Sequence, residues 1–166
     1  MGKKNSSGTP AVAALNRAGV RHTVHPYEHD PTSDLGYGLE AATAIGVAPA
    51  QVFKTLCVAF DDELAVGIVP VDSMLDLKAV ATALGVKKVS MAAIADAERV
   101  TGYVVGGISP IGQRKRLATV LDSSAQEFDT VYVSGGRRGL DIGLAPTDLI
   151  SVTNATTAAI ARATDG

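Results

Sequence analysis

The run Phe53-Lys-Thr-Leu-Cys-Val-Ala-Phe60 limits the possible folds of this chain more than any other stretch. It has strand length, is apolar or neutral except at Lys54, stops at Asp61-Asp62, and is followed by a second such run from Leu64 to Val69. Two runs of this kind around a polar turn predict a buried β-hairpin, and the rest of the chain must cover it. The means are there: 46% of the 166 residues are hydrophobic, and at this length a single domain buries ~70% of the surface its unfolded chain exposes. With 4% aromatic residues and no Trp, the core has to be built from Ala, Val, Leu and Ile.

Other elements follow from caps and periodicity. Thr9-Pro10 is an N-cap followed by Pro at the first helical position, and Gly19 is the stop of that helix. Alternation over 20–25 predicts a short strand interrupted at Pro26, Asp30–Asp34 has loop composition, and residues 38–45 predict a helix closed by Gly46. Asp76 caps a helix carrying Leu77, Val80, Ala81 and Leu84 on one face, ended by Gly85. A further helix spans 92–100 with Gly102 as its stop. Short strands are expected at 103–105, 117–121, 130–134 and 140–144, then a helix from about Thr147 toward Ala161. Helices and strands do not alternate regularly. The expected fold class is therefore α+β, with a mixed, largely antiparallel, curved or barrel-like sheet flanked by several helices. Residues 1–8 read as a flexible N-terminal tail and 9–166 as one domain.

Charge and cysteine content narrow the function. Fifteen Lys+Arg against seventeen Asp+Glu, net −2, argue against a general polyanion binder; RNA contact would be local. Arg114-Lys-Arg116 and Arg137-Arg138 are the small basic groups available for it, each also readable as a solvated face. One Cys allows no internal disulfide and no Cys-based zinc site, and implies a reducing compartment. No stretch reaches the ~18 apolar residues of a membrane span, and the N-terminus lacks the apolar segment of a secretory signal. The expected location is the cytoplasm, with no membrane and no DNA partner.

Few residues carry chemistry on spacing alone. On an extended strand Lys54 shares its face with Leu56, Val58 and Phe60, so it either snorkels to water at the strand start or is a functional group held in apolar surroundings. Tyr103-Val-Val-Gly-Gly-Ile-Ser-Pro-Ile-Gly112 reads as a bare turn or as a place where backbone meets a ligand without Cβ interference; Ser134-Gly135-Gly136 is similar. His22, His25 and His29 lie close in sequence, but their spacing on an extended chain does not converge on a metal. Cys57 reads as an inert core thiol. No metal site and no cofactor fingerprint is expected.

The segments Tyr27-Glu-His-Asp-Pro31, Phe53-Lys-Thr-Leu56, Asp76-Leu-Lys78, Thr101–Pro110, Gly112-Gln113 and Tyr132–Ile142 resemble, in order and spacing, the YbaK/EbsC family of free-standing Cys-tRNA(Pro) deacylases. The resemblance runs from about Thr9 to the last helix. It implies the fold of the editing domain of bacterial prolyl-tRNA synthetases and the hydrolysis of cysteine from mischarged tRNA(Pro), with the 3′ end of tRNA(Pro) as partner, delivered in company with the synthetase. Carried over position by position, it implies catalytic roles for Lys54, Gly106 and Asp141. It implies substrate contacts for Tyr27, Tyr37, Thr55, Gly107, Ser109, Pro110 and Ser134. Where the family pattern has Phe, this chain has Tyr37, which adds a hydroxyl. The mechanism implied is attack by the bound cysteine's own thiol on its ester, with Lys54 orienting the terminal nucleotide and backbone carbonyls near Gly106 taking the ammonium. Clearance of another small amino acid such as Ala, and a non-catalytic aminoacyl-tRNA-binding module, are the alternatives.

Overall fold

The computed structural model describes residues 8–28 and 36–164, with the backbone alone at Tyr37. Most of the expected tail, the expected loop at 30–34 and His29 therefore lie outside the described residues.

The hairpin organises everything else. β2 (Phe53–Phe60) and β3 (Glu63–Pro70) pair antiparallel from Phe53↔Pro70 to Phe60↔Glu63, and Asp61 turns the corner at φ 53°. They lie inside a five-stranded sheet ordered β5-β2-β3-β6-β9, whose other members are β5 (Ser90–Met91), β6 (Ala118–Asp122) and β9 (Thr156–Ala158). The β3–β6 and β6–β9 pairs are parallel, so the sheet is mixed as expected. Strand periodicity sorts its side chains into two cores. Phe53, Cys57, Val66, Ile68 and Leu121 face one, while Val58, Ala65, Val69 and Val120 face the other. β3 is consequently buried almost from end to end.

One face is covered by α3 (Leu77–Leu84), through Val80 and Ala81, and by a two-stranded sheet of β4 (Ser73–Leu75) with β10 (Ala161–Ala163). The other is covered by α1 (Pro10–Ala18), α4 (Ile94–Thr101) and a three-stranded antiparallel sheet. That sheet has the order β1 (Thr23–Pro26), β8 (Leu140–Leu144), β7 (Val131–Arg137), and a Val52–Tyr132 bridge ties it to the start of β2. α2 (Gly36–Ile45) and α5 (Pro146–Thr153) complete the described helices. The expected caps are present. The Thr9 and Asp76 hydroxyl and carboxylate accept from the amides of Val12 and Ala79, and Gly19 and Gly85 take left-handed φ at the helix ends.

Three expectations are corrected. Residues 103–105 form no strand: the buried Tyr103 hydroxyl donates to the Ile111 carbonyl at 2.7 Å, and the Gly107 amide closes a turn on the Val104 carbonyl at 2.8 Å. The last helix stops at Thr153, where Asn154 turns left-handed (φ 58°), and the chain returns as β9 and β10 instead of running helically to 161. Buried Asp122 fixes that return, its Oδ1 accepting from the amides of Ile160 and Ala161, both at 2.9 Å. The strand expected at 20–25 begins only at Thr23, and Pro26 does not interrupt it: it is the last residue of β1, paired with Leu140.

Candidate active site

A cavity of about 370 Å³ opens where the beginning of β2 meets β7, β8 and the loop after α4. Six of the residues singled out in the sequence line it: Tyr27, Lys54, Thr55, Gly106, Ser134 and Asp141. They come from five separate segments of chain, and the strand pairings hold several of them in place. Ser134 and Asp141 are register partners across β7 and β8, and Asp141 is paired on its other side with His25 of β1. The Tyr27 amide donates to the Gly139 carbonyl at 2.8 Å, which anchors the tyrosine beside the β7–β8 turn.

β2 contributes to the cavity from both of its side-chain rows, Thr55 and Cys57 from one and Lys54 and Leu56 from the other. Lys54 is half-buried and makes no ion pair among the described residues. Its row mates Leu56, Val58 and Phe60 pack into the second core, as the periodicity predicts. Desolvation holds its pKa below the usual lysine value, partly offset by the charge of Asp72. Asp141 is buried, and desolvation pushes its carboxyl up to about 7. The Thr55 hydroxyl is a buried oxygen with no hydrogen-bond partner among the described residues; a buried polar group left unpaired costs free energy that a ligand can return. Burial also pushes the Cys57 thiol up to about 11, which keeps it neutral and matches the inert thiol read from the sequence.

The glycine loop is held from several sides. The Val105 amide donates to Glu98 Oε2 at 2.9 Å, and its carbonyl accepts from Arg138 Nε at 2.9 Å, so the residue before Gly106 is fixed by α4 and by the β7–β8 turn. Gly106 then presents backbone to the cavity at φ 94°, a conformation that favours glycine. Gly107, Ser109 and Pro110 do not reach the cavity; they build the loop. A Cβ at Gly107 would sit 2.7 Å from backbone atoms of Arg137 and Arg138. Ser109 is fully buried, its hydroxyl accepting from the Ile111 amide and its carbonyl from Gln113 Nε2. Pro110 lines a separate cavity beside α1 and α5. Gly107→Ala is expected to lower the Tm by ~5 °C, for a cost of about 2 kcal/mol, because rigid backbone has to move to admit the methyl group; thermal denaturation measures it.

The remaining sites fall as follows. The Tyr37 backbone lies in α2, next to the cavity-lining Gly38. His22 Nδ1 lies 2.9 Å from the Val20 carbonyl, and His25 packs edge-on against Tyr132 at 5.3 Å, so each ring is engaged structurally. Met91, Ile94, Val71, Ile108 and Cys57 line the cavity without having been flagged in the sequence as pocket residues. Only the exposure of Met91 and Ile94, two large apolar side chains at 48% and 64%, marks them out, and that is visible only once the chain is folded.

These elements have a counterpart. Residues 37–152, which hold β2, the glycine loop and the strands bearing Ser134 and Asp141, match the family described as the aminoacyl-tRNA editing domain. The chain belongs to that family. Among curated proteins it is similar to EbsC of Enterococcus faecalis, a proposed Cys-tRNA(Pro)/Cys-tRNA(Cys) deacylase, at 37% identity over 153 residues and 92% of each chain. Its fold is similar to that of a proposed trans-editing enzyme for prolyl tRNA synthetase (TM-score 0.80, 22% identity, 92% of this chain and 95% of that one). It is also similar to the hypothetical protein APE2540 (TM-score 0.82, 23% identity, 92% and 99%). The family resemblance and the α+β fold class read from the sequence are both borne out.

Proposed function

We propose that this protein is a trans-editing hydrolase that removes cysteine from mischarged Cys-tRNA(Pro), residues 9–166 acting as one editing domain in the cytoplasm. The observation that carries the reading is the meeting of a half-buried lysine, a buried carboxylate and a bare glycine turn in one cavity of about 370 Å³. The 37% identity to EbsC supports the same substrate.

An aminoacyl ester is already activated, so a protein can hydrolyse it mainly by orientation and charge placement. Asp141 and the backbone at Gly106 receive the α-ammonium. Lys54 faces the ester and the terminal nucleotide and stabilises negative charge as it develops. The thiolate of the bound cysteine attacks its own carbonyl carbon. The bond from that carbon to the ribose oxygen breaks, the ribose oxygen takes up a proton, and the amino acid leaves as a thiolactone that water opens to free cysteine. A free thiol with pKa ~8.5 is several per cent thiolate near neutrality, whereas a serine hydroxyl is not ionised. The protein's own Cys57, pushed up to about 11, is a poor competitor for the carbonyl. Prolyl-tRNA synthetase is the natural source of the mischarged tRNA, and Arg137 and Arg138, at the turn behind Gly107, lie where RNA backbone could approach.

The test offers purified protein Cys-, Ala-, Ser- and Pro-tRNA(Pro) side by side. Cys-tRNA(Pro) is expected to be cleared at least 100-fold faster than the Ser ester, with Pro left intact. Rapid loss of the Ser ester would overturn self-attack in favour of an activated water. Preference for Ala would move the protein to another editing substrate.

A further inference from the structure

We infer that Met91 and Ile94 form the shelf that receives the adenine base at the 3′ end of the substrate tRNA, and so fix where the esterified amino acid enters the pocket. The inference rests on the aminoacyl-tRNA reading above and adds to it the residues that hold the nucleotide. Among the described residues only four large apolar side chains are exposed. Two of them lie at this cavity. Met91 and Ile94 line it, and Val104 directly precedes the lining residue Val105. Exposed apolar side chains clustered at a cavity mouth mark a surface that something covers.

The shelf is rigid. Met91 pairs with Val58 at the sheet edge, the Ala92 amide donates to the Cys57 carbonyl at 3.0 Å, and Ile94 is the first residue of α4. Its chemistry selects among the parts of an aminoacyl-tRNA end. The amino acid's ammonium and ester need the charged and polar groups deeper in, Asp141, Lys54 and Thr55, and a phosphate needs a cation. Met91 and Ile94 supply neither. The uncharged, flat face of the base is the part of the ligand that gains from a thioether and a branched alkyl surface. It is also attached to the ribose that bears the ester, so it must lie within one nucleotide of the cavity.

Two measurements test this. In the first, Met91→Asp/Ile94→Asp is compared with wild type and with the conservative Met91→Leu/Ile94→Val on Cys-tRNA(Pro). The Asp pair is expected to raise KM about tenfold with kcat within about twofold and Tm unchanged, and the conservative pair to restore KM. The second is saturation-transfer NMR on the unmodified protein with adenosine 5′-monophosphate, irradiating the Met and Ile methyl groups. Adenine H2 and H8 are expected to receive saturation that disappears in the Asp pair, and ribose 5-phosphate to receive none. If Cys-tRNA(Pro) is hydrolysed but KM is unchanged in the Asp pair and the base receives no saturation, the shelf is overturned and the deacylase reading stands. If no ester is hydrolysed but the adenine signals depend on Met91 and Ile94, the shelf stands and the deacylase reading falls.

Discussion

Lys54→Met is expected to reduce kcat/KM for Cys-tRNA(Pro) by ~10²–10³-fold, the loss typical when one preorganised charge-stabilising group is removed from a site, while Tm stays level or rises. Both halves follow from the same geometry. Lys54 is half-buried, makes no ion pair among the described residues, and has its pKa held down by desolvation, so its charge is poorly compensated until a substrate arrives. A basic group whose folded-state pKa is depressed costs the fold stability at every pH where it is still protonated. Methionine keeps most of the stem that packs along β2 and removes that cost. Lys54→Arg is not expected to rescue activity, since a planar fork cannot reproduce a compact ammonium in a pocket of this size. Initial rates with each variant, alongside thermal melts, provide the check; wild-type deacylation by Lys54→Met would remove the lysine from the mechanism.

Asp141→Asn is expected to separate stability from activity even more sharply. The Asp141 carboxyl sits at about 7 in the fold against an ordinary value of 3.8, the whole shift coming from burial. The folded protein therefore holds a proton that the unfolded chain has already lost between pH 4 and 7, and stability falls as pH rises through that window. Above pH 7 the full cost remains, on the order of 4 kcal/mol. Asn avoids it. The variant should melt ~8 °C above the wild type at pH 8, with the two converging toward pH 4. Activity should move the other way. In the proposed role a substrate ammonium makes an ionised Asp141 favourable, so wild-type kcat/KM should climb through about pH 7, and the Asn variant should lose both that limb and at least tenfold of the plateau. Melts and pH–rate profiles on the two proteins decide it. An Asn variant no more stable at pH 8 than at pH 4, relative to wild type, would show that the carboxyl is not desolvated as the structure has it.

How far each part could be read from the sequence followed how local its cause was. α3 was readable because Asp76, the i, i+3, i+4, i+7 apolar positions and Gly85 lie within ten residues. The β2–β3 hairpin was readable because both strands are buried runs around a polar turn. The strand expected at 103–105 failed because the apolar Tyr103-Val-Val105 run is used for a loop: a tyrosine hydroxyl anchored to Ile111 and a carboxylate from α4 outweigh strand propensity. The final helix was read too long because Asn154 ends it and Asp122, 38 residues upstream of Ile160, claims the amides beyond. β4 and β5, three and two residues long, are too short to show a period.

The site divided along the same line. Lys54 stood out because a strand alternates, and Gly106 because two adjacent glycines leave the backbone free of Cβ atoms. Within the glycine loop, the sequence could not show that Gly106 faces the cavity while Gly107 faces the β7–β8 turn, since that depends on which backbone lies behind each residue. Met91 and Ile94 carry no signature in the chain at all. They become visible only when a sheet edge and a helix start meet at one opening.

If the reaction runs through the proposed thiolactone, the wall thiol at Cys57 bears on the fate of that intermediate. A strained thioester formed beside an ionised cysteine would pass its acyl group to the protein, leaving a dead-end adduct. With Cys57 pushed up to about 11, about one molecule in 10⁴ carries the thiolate at neutral pH. On the proposed route the intermediate is then left to water, and the catalyst survives a chemistry whose own reactive group it shares.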